Sequence, residues 1–425
     1  MKLAFQISAL GNLIPLKMKE KRTSAPMAIA RPRQILVDVS VIMKNDVRTG
    51  IQRVVRAICL DLQRRDLGGF VVRPVFATAR SPYAYAPDDF LLSSNADSCR
   101  HANEPVDVRP GDIFLGLDLA AHLLPRHERQ IRTWKQQGAS IHIIVYDLLP
   151  VSGANWFNNR TQRNFAKWLG CIARQADQAI CISDQVADDL HQWAVNSSVR
   201  RTVPLKINTI PLGADIAASG PSSGIAASDK ELLSVLGEDP FVLMVGTIEP
   251  RKGYGGALDA FEQLWRENAH EAPRLVIAGK PGWKTDTLQK RLRRHPEAGK
   301  RLFWFDAASD QFLETLYRSC RGVLLASFAE GFGLPAVEAI SFGKPVLLRD
   351  IPVFRELTYG RITYFDDDQP GPFAARIMEW LDSLNRSDQR NPGLTPPSWR
   401  QSTDSLLTAL NVEFHHSYAT EKSAA

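Results

Sequence analysis

The chain has 425 residues, of which 44% are hydrophobic and 23% are charged, and its formal net charge is +6. This length and composition predict a globular protein of two or three domains. No apolar run reaches the roughly 18 residues that a membrane-spanning helix needs. The five cysteines show no metal-binding or redox spacing, and their odd number suits a reducing cytosol.

The charge is unevenly distributed along the chain. Residues 1–230 carry +9, so the remaining residues carry −3 of the total of +6. A basic amino-terminal half indicates an anionic partner, such as a nucleic acid, an anionic membrane surface or a phosphate-bearing acceptor, although a solubilising surface explains it equally well. Nucleic-acid binding predicts basic strands with interleaved aromatic residues or a recognition helix, and the sequence shows neither.

Residues 1–30 form a basic extension with a charge of +4. Lys2 precedes a mostly apolar stretch at residues 3–16, as in a signal peptide. Polar residues interrupt that stretch, however, and the charged segment 17–22 follows in place of a cleavage site. We therefore expect a disordered extension, with Met27 as an alternative start.

Apolar strands alternate with helices from residue 35 onward. The first half predicts helices at residues 51–67 and 184–194, the second capped by Ser183. Residues 80–110 are rich in Pro, Ser and Asp and predict an irregular insertion. The strands predicted for this half cover residues 35–40, 70–76, 112–115, 141–146, 178–181 and 206–210.

A stretch of Gly, Pro, Ser and Ala at residues 217–228 predicts a linker, after which the alternation resumes. Such alternation predicts an α/β fold of two Rossmann-like domains, whose parallel sheets face a central cleft. The later strands are predicted at residues 241–245, 274–278, 302–305, 322–326 and 345–349. The predicted organisation is a domain at 31–216, a linker at 217–238, a domain at 239–395, a C-terminal helix at 396–412 and a tail at 413–425.

Two carboxylates eight positions apart, Glu330 and Glu338, frame the most informative segment. A buried strand precedes it, and a helix should begin at about Leu334 with Pro335 in its first turn, where a missing N–H costs nothing. The free amides of that turn form a site for a phosphate or a polar sugar. Both carboxylates can face one cleft and accept hydrogen bonds from hydroxyls, so the segment suits a nucleotide-sugar.

A second segment places two adjacent cations at the end of another strand. Residues 241–245 are apolar, and the loop that follows them contains Gly246, Arg251, Lys252 and Gly253. Arginine can bind two phosphate oxygens at once, and lysine contacts phosphate as a point charge. Together with the two carboxylates, this loop indicates a clamp for a diphosphate.

The segment from Glu330 to Glu338 resembles the E-x7-E motif of the retaining family-four glycosyltransferases, and further similarity runs from about Ile35 to about Leu410. This resemblance implies the GT-B fold, with an acceptor-side N-terminal domain and a C-terminal domain that binds the nucleotide-sugar. It also implies a last helix that opens at Trp399 and packs back on the N-terminal domain.

The resemblance assigns a role to each candidate residue. Glu330 would hold sugar hydroxyls at the reacting centre, and Glu338 would hold the ribose. Asp147 would contact the acceptor or the sugar. The residues implied in binding the diphosphate and the transferred sugar are Gly50, Arg251, Lys252, Gly331, Phe332, Gly333 and Leu334.

Two positions depart from the family pattern. Thr247 stands where many members have an arginine, so Arg251 and Lys252 must carry the phosphate charge between them. Tyr146 stands where the family has a histidine, which puts in doubt any catalytic role of that histidine. Residues 366–368 contain a D-x-D sequence, but it lies beside neither donor segment. We therefore expect no metal site and no cofactor.

The function implied is transfer of a hexose or deoxyhexose from a nucleoside-diphosphate sugar, with a donor like GDP-mannose favoured, to a saccharide or lipid-linked acceptor. The resemblance also implies retention of anomeric configuration and a place in surface polysaccharide or lipopolysaccharide biosynthesis. We expect a cytoplasmic protein in peripheral contact with the inner face of the membrane, without a nucleic-acid partner. The alternatives are a non-catalytic GT-B protein that binds sugar nucleotides and a GT-B epimerase.

Overall fold

The structure is a computed structural model that describes residues 31–87, 90–91, 102–237, 239–267, 271–386 and 393–414. The predicted basic extension and most of the predicted tail lie outside these residues. From Arg33 onward, the described residues belong to one compact unit. The unit contains two sheets, so the predicted α/β fold with two parallel-sheet domains is confirmed.

The first sheet has seven strands in the order β3-β2-β1-β4-β5-β6-β7, and all neighbours are parallel except β2 and β3. Its central strands are buried apart from the half-buried Ser140 at the start of one of them, as expected for a parallel sheet that helices cover on both faces. The strands are β1 (Arg33–Asp38), β2 (Phe70–Phe76), β3 (Ala84–Tyr85), β4 (Ile113–Gly116), β5 (Ser140–Val145), β6 (Gln178–Cys181) and β7 (Lys206–Thr209).

Among the described residues, six α-helices connect these strands. They are α1 (Ser40–Lys44), α2 (Gly50–Gln63), α3 (Glu128–Gln136), α4 (Leu149–Ser152), α5 (Asn159–Gln175) and α6 (Asp184–Asn196). Short 3-10 helices lie at Leu124–His127, Ala154–Trp156 and Ile216–Ser219. The predicted cap of α6 is confirmed, because the Ser183 side chain accepts a hydrogen bond from the Val186 amide.

The second sheet has six parallel strands in the order β10-β9-β8-β11-β12-β13. They are β8 (Phe241–Val245), β9 (Arg274–Ala278), β10 (Leu302–Phe305), β11 (Gly322–Leu325), β12 (Val346–Arg349) and β13 (Thr363–Phe365). The helices of this half are α7 (Ala227–Leu236), α8 (Tyr254–Glu267), α9 (Asp286–Arg294), α10 (Asp310–Ser319), α11 (Leu334–Ser341), α12 (Pro352–Thr358), α13 (Pro370–Arg386) and α14 (Trp399–Ala409), and a 3-10 helix covers Pro250–Lys252.

The structure differs from the sequence predictions in several elements. The strand predicted at residues 35–40 is Arg33–Asp38, and Ser40 begins α1 instead. Helix α2 ends at Gln63 rather than at residue 67. The predicted irregular insertion contributes the edge strand β3, which pairs antiparallel with β2. The second half of the predicted linker is α7, because residues 227–236 include the helix-favouring residues Ala, Lys, Glu and Leu, and Asp229 lies in the first turn.

Helix α14 packs on α2 of the first half. The Trp399 amide donates to Asp215 Oδ1 and its indole N–H donates to the Asp215 carbonyl, each at 3.0 Å. Gly213 permits this contact, because a Cβ there would lie 2.4 Å from the Trp399 nitrogen. The chain thus returns from the second sheet to the first, and this contact helps to fix how the two halves face each other.

Candidate active site

A cleft of about 1090 Å³ lies between the carboxyl-terminal edges of the two sheets. Ligand pockets for drug-sized molecules measure about 300–1,000 Å³, so the cleft has room for a nucleotide-sugar and part of an acceptor. The loops that follow β1, β5, β8, β9 and β11 all contribute to its lining. Both donor segments therefore lie where ligands bind in open α/β sheets, as the sequence predicts.

Glu330 lies between the two predicted cations. Arg251 Nη1 donates to Glu330 Oε2 at 2.7 Å, and Lys252 Nζ donates to Oε1 at 2.5 Å. Burial opposes the charged form of this carboxyl, but the charges of Arg251 and Lys252 outweigh it and lower the pKa of Glu330 to about 2. Glu330 is therefore ionised at any physiological pH.

The backbone around these cations is held against β11. Arg251 also donates to the Ala329 carbonyl at 2.8 Å and pairs through Nε with Glu249 Oε2 at 3.0 Å. Gly253 has a φ of +69°, and a Cβ there would lie 2.1 Å from the Ala326 carbonyl oxygen. The glycine thus permits the close approach that brings the two donor segments together.

The turn before α11 presents unpaired amides. Gly333 adopts a φ of +108° as the N-cap, Leu334 begins the helix and Pro335 lies in its first turn, as predicted. In the described part of the chain, the amides of Phe332, Gly333 and Leu334 donate to no protein acceptor. Such amides, with the positive end of the helix dipole, form a site for an anion.

The same turn touches the N-terminal half. A Cβ at Gly331 would lie 2.0 Å from the Tyr146 carbonyl oxygen, and the Ser183 hydroxyl donates to the Gly331 carbonyl at 2.7 Å. Phe332 is 7% exposed and packs in the hydrophobic core of the N-terminal half. Phe332 therefore joins the two halves in addition to lining the cleft.

Glu338 is 2% exposed and lies on the first turns of α11. Its Oε2 accepts a hydrogen bond from the Tyr317 hydroxyl at 2.8 Å, and its Oε1 pairs with Arg53 of α2. Arg53 also donates to Asp310 at 2.6 Å, and Arg48 reaches the same carboxylate at 3.1 Å. A chain of charges thus links the N-terminal half to the predicted ribose site.

Arg53 is a site residue that sequence reasoning missed. In this part of the chain, the resemblance to the family assigns a role only to Gly50. The spacing of the two residues could have indicated it. Residues three apart on a helix lie on the same face, so Arg53 shares a face with Gly50. Gly50 itself begins α2, and a Cβ there would lie 3.4 Å from Leu334 Cδ1 across the cleft.

Asp147 lines the cleft two residues after the end of β5. Burial raises the pKa of its carboxyl to about 6; the charge of Arg251 opposes this rise, whereas Glu330 and Glu249 add to it. Its Oδ1 accepts a hydrogen bond from the Leu149 amide at 3.0 Å, which fixes the carboxyl at the start of α4. A carboxyl with this pKa can exchange a proton near neutral pH.

Tyr146 has a structural contact at the position where the family has a histidine. Its hydroxyl donates to the Leu117 carbonyl at 2.7 Å, and burial raises the pKa of the phenol well above its usual value. The hydroxyl is therefore engaged inside the N-terminal half and is no candidate for a base.

The D-x-D sequence lies apart from the cleft. Asp368 pairs with Arg349, and Asp367 accepts a hydrogen bond from the Gln369 amide at 2.8 Å. Among the described residues, no group of three or more His, Cys, Asp or Glu side chains is arranged to hold a metal ion.

The two facing parallel sheets and the intervening cleft define a GT-B protein. Residues 228–391, which include both donor segments, match the family model described as glycosyl transferases group 1. This match confirms the resemblance to glycosyltransferases that was drawn from the E-x7-E motif.

The similar curated proteins include mannosyltransferases. The chain is 39% identical to the serotype-specific mannosyltransferase WbdA of Escherichia coli over 383 residues, which are 89% of this chain and 46% of WbdA. It is 30% identical to the O-antigen chain mannosyltransferase B of Escherichia coli over 176 residues, which are 40% of this chain and 46% of that protein. The chain thus spans about half the length of these relatives.

Two solved structures share the fold at low sequence identity. Anabaena HepE, solved with UDP and glucose, has a TM-score of 0.61 and 17% identity, with 89% of this chain and 99% of HepE covered. The N-terminal domain of Candida albicans trehalose-6-phosphate phosphatase has a TM-score of 0.60 and 11% identity, with 89% and 96% covered. Among the described residues, no helix is both long and apolar enough to cross a membrane.

Proposed function

We propose that the protein is a retaining, metal-independent hexosyltransferase of surface polysaccharide or lipopolysaccharide biosynthesis. It moves a hexose or deoxyhexose, with mannose from GDP-mannose favoured, to a saccharide or lipid-linked acceptor. The observation that carries the proposal is the placement of Glu330 between Arg251 and Lys252, beside the unpaired amides that open α11. The mannosyltransferase names of the relatives favour mannose.

The donor end of the cleft suits a leaving diphosphate. As the bond to the sugar breaks, negative charge develops on the phosphate, and groups already in place stabilise it without reorganisation. Arg251, Lys252 and the amides of Phe332 to Leu334 are the positive groups for this purpose. A carboxylate has about four acceptor positions, so Glu330 can hold sugar hydroxyls while it keeps both cations in place.

The nucleoside end of the donor would lie at Glu338. The carboxylate is held by Tyr317 and Arg53, and its remaining acceptor positions suit the ribose hydroxyls. Gly50 and Leu334 approach each other closely, so the N-terminal backbone would cover the transferred sugar. Asp147 would orient the acceptor hydroxyl or a sugar hydroxyl. The sequence shows no obvious enzymic nucleophile. This agrees with a mechanism in which the leaving phosphate takes the acceptor proton and the anomeric configuration is retained.

A panel of UDP-, GDP- and dTDP-sugars tests the donor. A ligand at about 100 times its Kd stabilises the folded state by about 2.7 kcal/mol, so the true donor should raise Tm measurably. Transfer of label from that donor to a saccharide acceptor separates an enzyme from a sensor that only binds. Conversion of the donor to an epimer without transfer would favour the epimerase alternative.

Location at the inner face of the cytoplasmic membrane is a second part of the proposal. The +9 charge of residues 1–230 supports peripheral binding, because each Lys or Arg near an anionic surface contributes about 1 kcal/mol within a Debye length. We expect co-sedimentation with anionic vesicles at low salt and release at high salt. A chain that starts at Met27 should bind less. If the 425-residue chain stays in the supernatant with anionic lipid at low salt, that result would contradict membrane binding and favour a soluble acceptor.

A further inference from the structure

Ser183 is a buried residue of the N-terminal half that contacts the turn before α11, residues 331–334, which we call the donor turn. Ser183 caps α6 and is 1% exposed. Its hydroxyl donates to the Gly331 carbonyl at 2.7 Å and accepts a hydrogen bond from the Val186 amide at 3.2 Å. An amide N–H can only donate and a carbonyl can only accept, so both roles of the hydroxyl are fixed.

The bond to Ser183 orients the peptide group that joins Gly331 to Phe332. A trans peptide is planar, and its C=O and N–H point in opposite directions. Because Ser183 holds the Gly331 carbonyl, the Phe332 N–H of the same peptide points away from Ser183. In the part of the chain that the structure describes, this amide donates to no protein acceptor. A side chain of the N-terminal half thus sets the direction of a free amide on the C-terminal half.

The glycine at position 331 makes this bond necessary. A Cβ on Gly331 would lie 2.0 Å from the Tyr146 carbonyl oxygen, so glycine permits the close approach of the two halves. Glycine also leaves the peptide that follows it free to rotate. Without the Ser183 hydroxyl, the carbonyl of the buried Gly331 loses its partner, and rotation of the peptide toward another donor becomes favourable. That rotation would turn the Phe332 N–H away from its present direction.

A carboxylate of the C-terminal half holds the segment that follows Ser183. Glu356 of α12 accepts hydrogen bonds from the Asp184 amide at 2.8 Å and from the Gln185 amide at 3.0 Å, one on each oxygen. These amides lie in the first turn of α6 and have no partner within the helix. Glu356 therefore joins the two halves beside Ser183, but within the described ranges it forms no hydrogen bond with the donor turn.

We propose that Ser183 is a positioning residue of the donor site. Its hydroxyl holds the peptide between Gly331 and Phe332 so that the Phe332 amide donates to an oxygen of the donor diphosphate. This inference rests on the proposed transfer from a nucleoside-diphosphate sugar, and it adds that the anion site of the C-terminal half is complete only while the N-terminal half supplies Ser183. Ser183 does not line the cleft, so it acts through the backbone and not on the substrate.

The test compares a nucleoside diphosphate with its nucleoside. GDP, UDP and dTDP are titrated into the wild-type protein by calorimetry, and the Kd of the matching nucleoside is measured by competition with the diphosphate that binds. The Phe332 amide would contact phosphate alone. Ser183→Gly should therefore weaken binding of the diphosphate by roughly tenfold, the size expected when a hydrogen bond to a charged group is weakened, and leave the Kd of the nucleoside unchanged. Glycine is chosen because it replaces an N-cap serine with less damage to the helix than alanine.

Two further variants of Ser183 separate positioning from helix capping. Ser183→Thr keeps a hydroxyl and should restore the affinity for the diphosphate. Ser183→Cys keeps the size of the side chain but offers only a weak donor, so the affinity should fall to an intermediate value. The cysteine variant also provides the measurement if Ser183→Gly does not fold.

Glu356→Gln is the matched control for a looser contact between the halves. It replaces one carboxylate oxygen by an NH2 group that cannot accept a hydrogen bond, so one of the two bonds to α6 is lost. The Ser183 hydroxyl stays in place. We expect the ratio of the Kd of the nucleoside to the Kd of the diphosphate to remain that of the wild-type protein.

The outcomes distinguish this inference from the proposed function. If none of the three nucleoside diphosphates binds the wild-type protein, the proposed donor site fails, and the role of Ser183 fails with it. If one of them binds, but Ser183→Gly leaves its affinity unchanged or weakens the diphosphate and the nucleoside equally, Ser183 is only a cap of α6 and the proposed transfer stands. If Glu356→Gln lowers the ratio of the two Kd values as Ser183→Gly does, a looser contact between the halves explains the loss, and the positioning role is overturned.

Discussion

Replacement of Arg251 by alanine should affect both transfer and stability. Arg251 contacts Glu330 at 2.7 Å, the Ala329 carbonyl at 2.8 Å and Glu249 at 3.0 Å. Loss of one preorganised charge at a reacting centre typically lowers kcat by roughly 10²-fold. We expect a loss of transfer of that size or more, because Arg251→Ala leaves Lys252 as the remaining cation of the clamp.

The same substitution leaves two buried carboxylates short of a partner. The side chains of Glu330 and Glu249 are 6% and 10% exposed, and breaking a buried pair costs about 3–5 kcal/mol. The pKa of Glu330 is lowered from 4.5 to about 2, so its pairing contributes stability above about pH 4.5 that is lost as the pH falls toward 2. The destabilisation of Arg251→Ala should therefore be larger at pH 7 than at pH 3, where part of the pairing is already lost.

Initial rates with the donor identified from the panel, and urea unfolding at pH 7 and pH 3, measure both effects. Arg318→Ala is a suitable control, because its side chain is 69% exposed and its ion pair with Glu314 is long, at 3.8 Å. Wild-type turnover in Arg251→Ala would refute the diphosphate clamp. An equal loss of stability at both pH values would refute the ion pair as its cause.

Three further predictions concern the carboxylates and metal dependence. Glu338→Ala should weaken binding of the bare nucleoside diphosphate, whereas Glu330→Ala should leave that binding nearly intact and lower the rate of transfer. If calorimetry shows equal losses of nucleotide affinity in both variants, the orientation of the donor in the cleft is reversed. The pKa of Asp147 is raised to about 6, so ionisation of this carboxyl destabilises the folded state as the pH rises from about 4 to 6. Asp147→Asn removes that ionisation and should therefore raise Tm more at pH 8 than at pH 4. A pH-independent effect would contradict that pKa. Activity should survive EDTA, and a strict requirement for Mg²⁺ or Mn²⁺ would overturn the metal-independent mechanism.

The local structure of the two predicted donor segments could be predicted from the sequence, because nearby residues determine it. Gly333, Leu334 and Pro335 specify the turn and the start of α11, and the strand before Arg251 places that residue at the edge of its sheet. Parallel sheets bind ligands at this edge, so the convergence of Arg251 with Glu330 follows from fold class.

The contacts between the halves could not be predicted in this way. Arg53 and Glu338 are 285 positions apart, and their pairing depends on how two separate sheets face each other. Tyr146 could be identified as a departure from the family, but its hydrogen bond to Leu117 became visible only in the folded chain.

The most direct test of the proposed activity is transfer of label from GDP-mannose to a saccharide acceptor by the wild-type protein and by Glu330→Gln. We predict a labelled product with the wild-type protein, and a loss of roughly 10²-fold in Glu330→Gln with binding of GDP retained. Absence of transfer from every UDP-, GDP- and dTDP-sugar in the panel, or undiminished transfer in Glu330→Gln, would contradict catalysis at this cleft.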